Sequence, residues 1–275
     1  MFNISAIGEY VYMGKSTLVK WLGFPATLIH GDSLVLDRWM WLRKYLRVTK
    51  DHENLLDAGC GSGAFTLYAG KLGYQALGLS WDERNQAIAN ERAKICKVEN
   101  RACFVIQDLR TLDQCVDYKE KFDFVISLEN IEHILDDEKL IQDLAACLKP
   151  GGHLLLTTPN LYLREPHSSN YVAYKKTVED GTHVRRGYSP AMMRELCEMS
   201  GLVCEEISYC SGFLSQKLSA LQTTLCNINF WLGWCVTLPL RIFPPLLDRP
   251  VSWLLNWPYF SICMVAYKPR RRKHA

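Results

Sequence analysis

Four things are scarce or missing in this 275-residue sequence, and each absence excludes a class of protein. Paired cysteines come first. There are eleven, an odd number, and no two stand at CxxC spacing. Cys96, Cys103, Cys147 and Cys263 lie in apolar surroundings and read as small buried hydrophobes. That argues against a disulfide framework or a zinc site and for a reducing compartment. Charge of one sign is scarce too. The formal net charge is +3, and five of the positive residues stand among the last eight, so residues 1–267 carry a slight negative excess. Such a body lacks the basic face of a nucleic-acid groove. The start of the chain lacks a charged-then-apolar signal pattern, with Glu9 and Lys15 among scattered apolar residues. Nothing before residue 210 is long and apolar enough to span a bilayer. Finally, charge of either sign is absent from residues 218–240, a run of 23 positions. What is there, 48% hydrophobic and 22% charged residues, is ordinary globular composition and excludes disorder, collagen and coiled coil.

Residues 33–48 place Leu34, Leu36, Trp39, Leu42 and Leu46 at helical spacing with basic residues between. From residue 54 to 157 the pattern changes. Short apolar runs at Leu55–Ala58, Ala76–Leu79, Phe104–Ile106, Phe122–Leu128 and Leu154–Thr157 alternate with helical stretches such as Gln86–Lys97 and Lys139–Leu148. Strand–helix alternation of this kind builds an α/β fold, a parallel sheet with helices on both faces. Lys149-Pro150-Gly151-Gly152 reads as a helix stop and turn. Residues 159–189 are polar and turn-rich and read as a loop over one sheet edge. Pro190–Met199 reads as a helix, Val203–Tyr209 as a strand and Ser261–Ala266 as the last strand. His153 and His167 read as ordinary loop histidines.

The most specific local signal is Asp57-Ala58-Gly59-Cys60-Gly61-Ser62-Gly63, a strand running into a glycine turn and a helix. Glycines let a backbone approach a ligand at a helix N-terminus. Gly59, Gly61 and Ala64 fit the GxGxxA dinucleotide fingerprint. Against it, Asp57 takes a place where such sites carry an apolar residue, and Gly78-Leu79-Ser80 ends with a hydroxyl instead of an acid. Phe104–Asp108-Leu109, Phe122–Ile126 and Leu148–Gly152 follow in order. With them, the loop resembles motif I of the class I S-adenosylmethionine-dependent methyltransferases, over about residues 35–210 plus the last strand. The resemblance implies a Rossmann-like, seven-stranded, mostly parallel sheet and S-adenosylmethionine as cofactor. It places Asp57, Gly59, Gly61 and Gly63 on the cofactor, with Asp108 and Leu109 at the adenine. The family's acid at the end of strand two is Ser80 here, so Ser80 and Trp81 are expected to share the ribose contacts. Arg38 stands where some relatives hold the methionine carboxylate; a solvated helix arginine is the plain alternative.

Strand four is followed by Glu129-Asn130-Ile131-Glu132-His133. On a helix, positions i, i+3 and i+4 share a face, here at the sheet edge where doubly wound folds bind ligands. Two carboxylates and an imidazole suit a hard or borderline divalent cation. Another histidine closes Glu179-Asp180-Gly181-Thr182-His183. ExxEH with a later His resembles the ubiquinone-pathway O-methyltransferases and the small-RNA 2′-O-methyltransferases, both of which use a divalent metal. That resemblance implies Mg²⁺ or another divalent cation at Glu129, Glu132, His133 and His183. The alternative is a metal-free site in which His133 or His183 takes the acceptor's proton and Glu129 lies beside the cofactor.

About 50 residues separate the last two strands, where this fold usually has a tight hairpin. Three readings of this apolar insert, residues 211–260, stay open. One is a membrane span over 218–240. The second is a helical cap packed on the sheet or on a dimer mate. The third is a helical lid that shapes an apolar acceptor pocket and rests on a bilayer, with Arg241, Arg249 and the Lys268–Lys273 tail facing anionic lipid. The chain then divides into an N-terminal helical segment (1–50), a methyltransferase core (51–210), the insert (211–260) and a last strand with a basic tail (261–275). The expectation is a cytoplasmic enzyme, peripheral to the membrane, that methylates a hydroxyl of a small lipophilic acceptor. A homodimer is compatible with this, and nucleic acid is not an expected partner. The rivals are N- or C-methylation of a secondary metabolite or lipid, RNA 2′-O-methylation, nicotinamide-dependent oxidation, and a catalytically silent binding protein.

Overall fold

The structure is a computed structural model, and it describes residues 16–29, 34–163, 176–179 and 181–270. Seven strands share one sheet: β1 (Asn54–Ala58), β2 (Gln75–Ser80), β3 (Ala102–Ile106), β4 (Phe122–Leu128), β5 (Leu148–Pro159), β6 (Val203–Cys210) and β7 (Ser261–Tyr267). Their order is β3-β2-β1-β4-β5-β7-β6, and only β7 runs antiparallel to its neighbours. The seven-stranded, mostly parallel Rossmann-like sheet expected from the sequence is what forms. The strand order reverses between β1 and β4, which opens a crevice at their C-terminal ends.

Successive strand residues point to opposite faces, and both faces are covered. Leu56, Val125, Leu154 and Leu156 pack under helices Asp137–Cys147 and Pro190–Met199. Leu55, Ile126 and Leu155 pack against Trp41 and Leu42 of helix Val35–Leu42 and Ala69 of helix Ala64–Leu72. Central strands buried on both sides explain the near-continuous apolar runs read from the sequence.

Helix starts differ from the sequence reading because polar caps precede the apolar pattern. Asp82 caps Glu83–Ile95 by accepting from the N–H groups of Arg84 and Asn85, and Asp136 caps Asp137–Cys147 by accepting from that of Lys139. β5 begins at Leu148, directly after the helix, so His153 lies in a strand and stacks on Phe124, not in a loop. His167 falls outside the described residues. Cys147 and Cys263 are buried as expected, but Cys96 is half-buried and Cys103 is exposed, because β3 is an edge strand.

The insert forms three helices: Phe213–Ile228, Phe230–Leu240 and Pro244–Leu254. A single span over 218–240 is not formed. The chain breaks at Asn229, whose side chain accepts from Leu232 N–H and starts the next helix. Among the described residues no single helix is long and apolar enough to cross a membrane. The last two insert helices meet the length and composition only together, bent by 80°. Cys210 pairs with Ser261, so the insert leaves and rejoins the sheet at adjacent points. The basic tail starts at the other end of β7. There Lys268 is tied down by the carbonyls of Ala145 and Leu148, which separates the tail's start from the insert; residues 271–275 lie outside the description.

Candidate active site

The crevice is a cavity of about 510 Å³, with Gly59, Gly61, Ser80, Trp81, Asp108, Glu129 and His133 in its wall. β1 delivers Asp57, which is 1% exposed and accepts from Thr66 Oγ1 at 2.6 Å. Burial raises its pKa to about 7. The loop then hugs β2: the N–H groups of Gly59 and Cys60 both donate to Leu79 O, at 3.0 and 2.9 Å. Gly59, Gly61 and Gly63 take φ of +90°, +51° and +82°, the left-handed region that favours glycine. A Cβ on Gly59 would stand 2.7 Å from Asn130 Cγ, and one on Gly63 2.7 Å from the Phe104 ring, whereas one on Gly61 would meet nothing within 4 Å. Gly61 therefore faces open space, in the cavity wall.

Arg92, which the sequence reading passes over, clamps the loop. It is 2% exposed, and its Nη1 donates to Ser62 O at 3.2 Å and Ser62 Oγ at 2.9 Å. Its only sequence signal is a basic residue on the inward side of a helix. At the end of β2, Ser80 Oγ accepts from Asp82 N–H at 3.3 Å. Asp82 and Asn85 join Ser80 in the same wall and add the polar groups that the missing strand-two acid would supply. Trp81 is 73% exposed at the rim, and Leu109 is buried. Asp108 carries the Arg110 guanidinium on its carboxylate, which holds its pKa below the usual value. Arg110 also pairs with Glu179 at 2.9 Å, which draws the loop after β5 over the cavity.

Arg38 is buried, not solvated, and its Nε lies 3.6 Å from Glu129 Oε1. That same oxygen accepts from Ser261 Oγ at 2.8 Å. Glu129 takes φ of +52°, an uncommon conformation for a residue with a side chain. It turns the carboxylate toward Arg38 and β7.

No helix starts at Glu129. The chain makes one 3₁₀ turn, Ile131–His133, so a shared helical face is not what gathers the polar residues. The later segment does it. Val184 N–H donates to Glu132 O at 2.8 Å, and Arg185, 6% exposed, donates to the carbonyls of Ile134 and Leu135 at 2.8 Å each. This seats His183 beside Glu132 and His133, and one ligand atom from each lies within 4.8 Å of the others. Glu129 is not in that group. The two imidazole rings stand 4.7 Å apart, edge to face. Glu132 is fully buried: Oε2 accepts from Thr158 Oγ1 at 3.0 Å, and Oε1 has no partner among the described residues. Burial pushes the Glu132 carboxyl up. Burial, then the His133 charge, pushes His183 down, which keeps an imidazole lone pair free near neutral pH. Asp180, the other acid of that segment, lies outside the described residues.

Residues 37–207 match the methyltransferase domain. The chain is 27% identical over 183 residues to the ubiquinone biosynthesis O-methyltransferase of Actinobacillus pleuropneumoniae serotype 7, covering 64% of this chain and 76% of that one. It is 30% identical over 164 residues to the human mitochondrial ubiquinone biosynthesis O-methyltransferase, covering 56% of this chain and 42% of that longer one. An S-adenosylmethionine-dependent methyltransferase structure from Mesorhizobium loti superposes with TM-score 0.57 at 18% identity, covering 84% of this chain and 97% of that one. The cyclase SpnF does so with TM-score 0.59 at 18% identity, covering 86% and 82%, so the fold by itself does not fix the reaction. With motif I glycines lining the crevice and the domain match spanning most of the sheet, the chain belongs to the methyltransferase-domain family and is an S-adenosylmethionine-dependent methyltransferase of the class I fold.

Proposed function

We propose that this enzyme O-methylates a small, lipophilic, catechol-like acceptor, with a divalent cation held by Glu132, His133 and His183. The observation that carries the reading is the convergence of those three side chains beside the cofactor cavity, with a buried carboxylate oxygen that has no partner among the described residues. The names of the relatives support the O-methyl assignment. One carboxylate and two imidazoles suit a borderline ion such as Mn²⁺ or Zn²⁺ better than Mg²⁺, which favours an all-oxygen shell. When bound, such an ion lowers the pKa of an acceptor hydroxyl and orients it.

The chain's own residues do the remaining work. The Gly59–Gly63 loop and Asp57 hold the cofactor, with Ser80, Asp82 and Asn85 placed for the ribose. Arg38, steadied by Glu129, is placed for the methionine carboxylate. The acceptor oxygen attacks the sulfonium methyl in line. The O–C bond forms as the S–C bond breaks, the electron pair stays on sulfur, and S-adenosylhomocysteine leaves. With His133 and His183 taken up as ligands, the acceptor hydroxyl would lose its proton to solvent; only without the cation would His133, in the cavity wall, be free to take it. The lipophilic acceptor is suggested by the relatives' names, and the exposed apolar face of the insert suggests an enzyme peripheral to a membrane. A metal-free site with His133 as base is the second reading, favoured by that same wall position.

The test is turnover of labelled cofactor with catechols of increasing alkyl length and the matching monophenols. The reading expects catechol preference, loss of activity in EDTA and rescue by Mn²⁺ or Zn²⁺. Full turnover in EDTA with no metal by elemental analysis leaves His133 as the base. Transfer to amines alone overturns O-methylation.

A further inference from the structure

Two insert helices are built inside out. In Phe230–Leu240 the buried residues are Gly233 and Thr237, while Trp231, Leu232 and Val236 are exposed. In Pro244–Leu254 the buried residues are Pro244, Asp248 and Ser252, while Leu246, Leu247, Trp253 and Leu254 are exposed, Trp253 at 81%. The polar inward groups are satisfied. Asp248 accepts from the N–H groups of Gly212 and Leu214 at 2.5 and 2.6 Å, and Ser252 Oγ accepts from Phe213 N–H at 2.8 Å, so together they cap the first insert helix. Arg241, at the bend, is 4% exposed and reaches back to Ile29 O and Gln222. A cap packed on the sheet would bury the leucines and tryptophans and expose the aspartate. The reverse holds here.

We infer that this outward face is a foot that seats the enzyme on an anionic phospholipid bilayer, with Lys44 and Arg249 at its rim against the lipid phosphates. Three observations choose a bilayer over a second copy of the chain. Large apolar side chains stand out on both helices, without charge from residue 218 to 240; protein interfaces of that size carry a polar rim and paired groups. Exposed tryptophans are placed as at a lipid headgroup boundary. The rim charge is basic: Lys44 and Arg249 are exposed and line a cavity of about 200 Å³ between helix Val35–Leu42, the end of β6 and helix Pro244–Leu254. The geometry also says how deep the foot goes. Each helix has 11 residues, about 16 Å, roughly half the hydrocarbon thickness. Both ends of the insert join paired residues of one sheet edge, so the foot enters and leaves on the same side and does not span.

This inference rests on the membrane-peripheral part of the proposed function but not on its chemistry, and the experiment separates them. The full chain is mixed with vesicles of phosphatidylcholine, alone or with phosphatidylglycerol, and binding is read by flotation and by brominated-lipid quenching of tryptophan. Expected are binding that strengthens with phosphatidylglycerol, quenching, and about fivefold weaker binding for each of Lys44→Gln and Arg249→Gln. Trp253→Glu with Leu254→Glu should abolish flotation while S-adenosylmethionine binding and Tm hold, since both side chains are already in solvent. No flotation at low salt overturns the foot even if catechols are methylated. Flotation with no O-methylation sinks the acceptor chemistry and leaves the foot. Absence of vesicle binding, with a dimer in sedimentation that Trp253→Glu dissociates, makes the face a chain–chain interface and overturns the inference.

Discussion

Gly61 and Gly63 are two positions apart and both left-handed, yet they answer to different demands. Gly61 borders the cavity, and among the described residues nothing stands within 4 Å of where its Cβ would be, so Gly61→Arg should cost about 1–2 kcal/mol of backbone strain and place its side chain in the cofactor's space. Calorimetry should find no S-adenosylmethionine binding in a protein that still melts cooperatively. Gly63 is wedged against Phe104 and Ala89, so Gly63→Ala should cost about 2–4 kcal/mol of stability from overpacking and strain, read by denaturant titration. Glu129 and Glu132 separate in the same way. Glu129 faces Arg38 and Ser261, so Glu129→Gln should raise the KM for S-adenosylmethionine and leave metal stoichiometry unchanged. Glu132→Gln should lower metal affinity with little effect on cofactor binding, by about 10–100-fold for a lost ligand. Equal effects of the two variants on metal content would return Glu129 to the ligand set.

The joint between helix Val35–Leu42 and the insert is expected to respond to pH through Asp37. Asp37 is 8% exposed, and burial raises its pKa to about 6 against the ordinary 3.8; Ser215 and Ser211 hydrogen bonds and Arg38 pull it down, while Asp248 pushes it up. A raised folded-state value means that the stabilisation is complete below about pH 4 and is lost as pH rises through about 6. Asp37→Asn should therefore melt at least about 2–4 °C above the parent at pH 8, and the gap should narrow through pH 5 and close near pH 4. A constant gap across that range would assign the effect to packing instead of ionisation. The same joint carries Arg38 toward the cofactor cavity, so loosening it at high pH should weaken S-adenosylmethionine binding in the parent more than in Asp37→Asn.

At the scale of the whole molecule, the sheet pairing is continuous across the insert's two ends. Cys210 and Ser261 are already paired neighbours, so replacing 211–260 by a two-residue turn restores a plain hairpin. The shortened chain should fold and bind S-adenosylmethionine, but with lower Tm. The loss arises because the Arg241 bond to Ile29 O goes with the insert, which leaves the N-terminal helices only the Trp41 Nε1 bond to Ser208 of this pair of anchors. Vesicle binding should vanish with the insert. A shortened chain that neither folds nor binds cofactor would make the insert an integral part of the core.

The sequence by itself determined the sheet and the cofactor loop. Those rest on local rules: a buried parallel strand is a short apolar run, and a left-handed turn against a ligand needs glycine. It also named Glu132, His133 and His183, and it singled out Arg38, which the structure buries beside Glu129. Only the tertiary structure decided how they meet. Glu132 reaches His183 because Val184 and Arg185 bind the backbone after β4, a contact about fifty residues long in sequence that no periodicity encodes. Glu129 stands apart from Glu132, His133 and His183, with its carboxylate beside Arg38 and Ser261. The insert shows the same division. Its apolar composition was plain in the sequence, but whether leucine and tryptophan face in or out depends on which surface each helix docks with, and that surface is supplied by residues elsewhere in the chain.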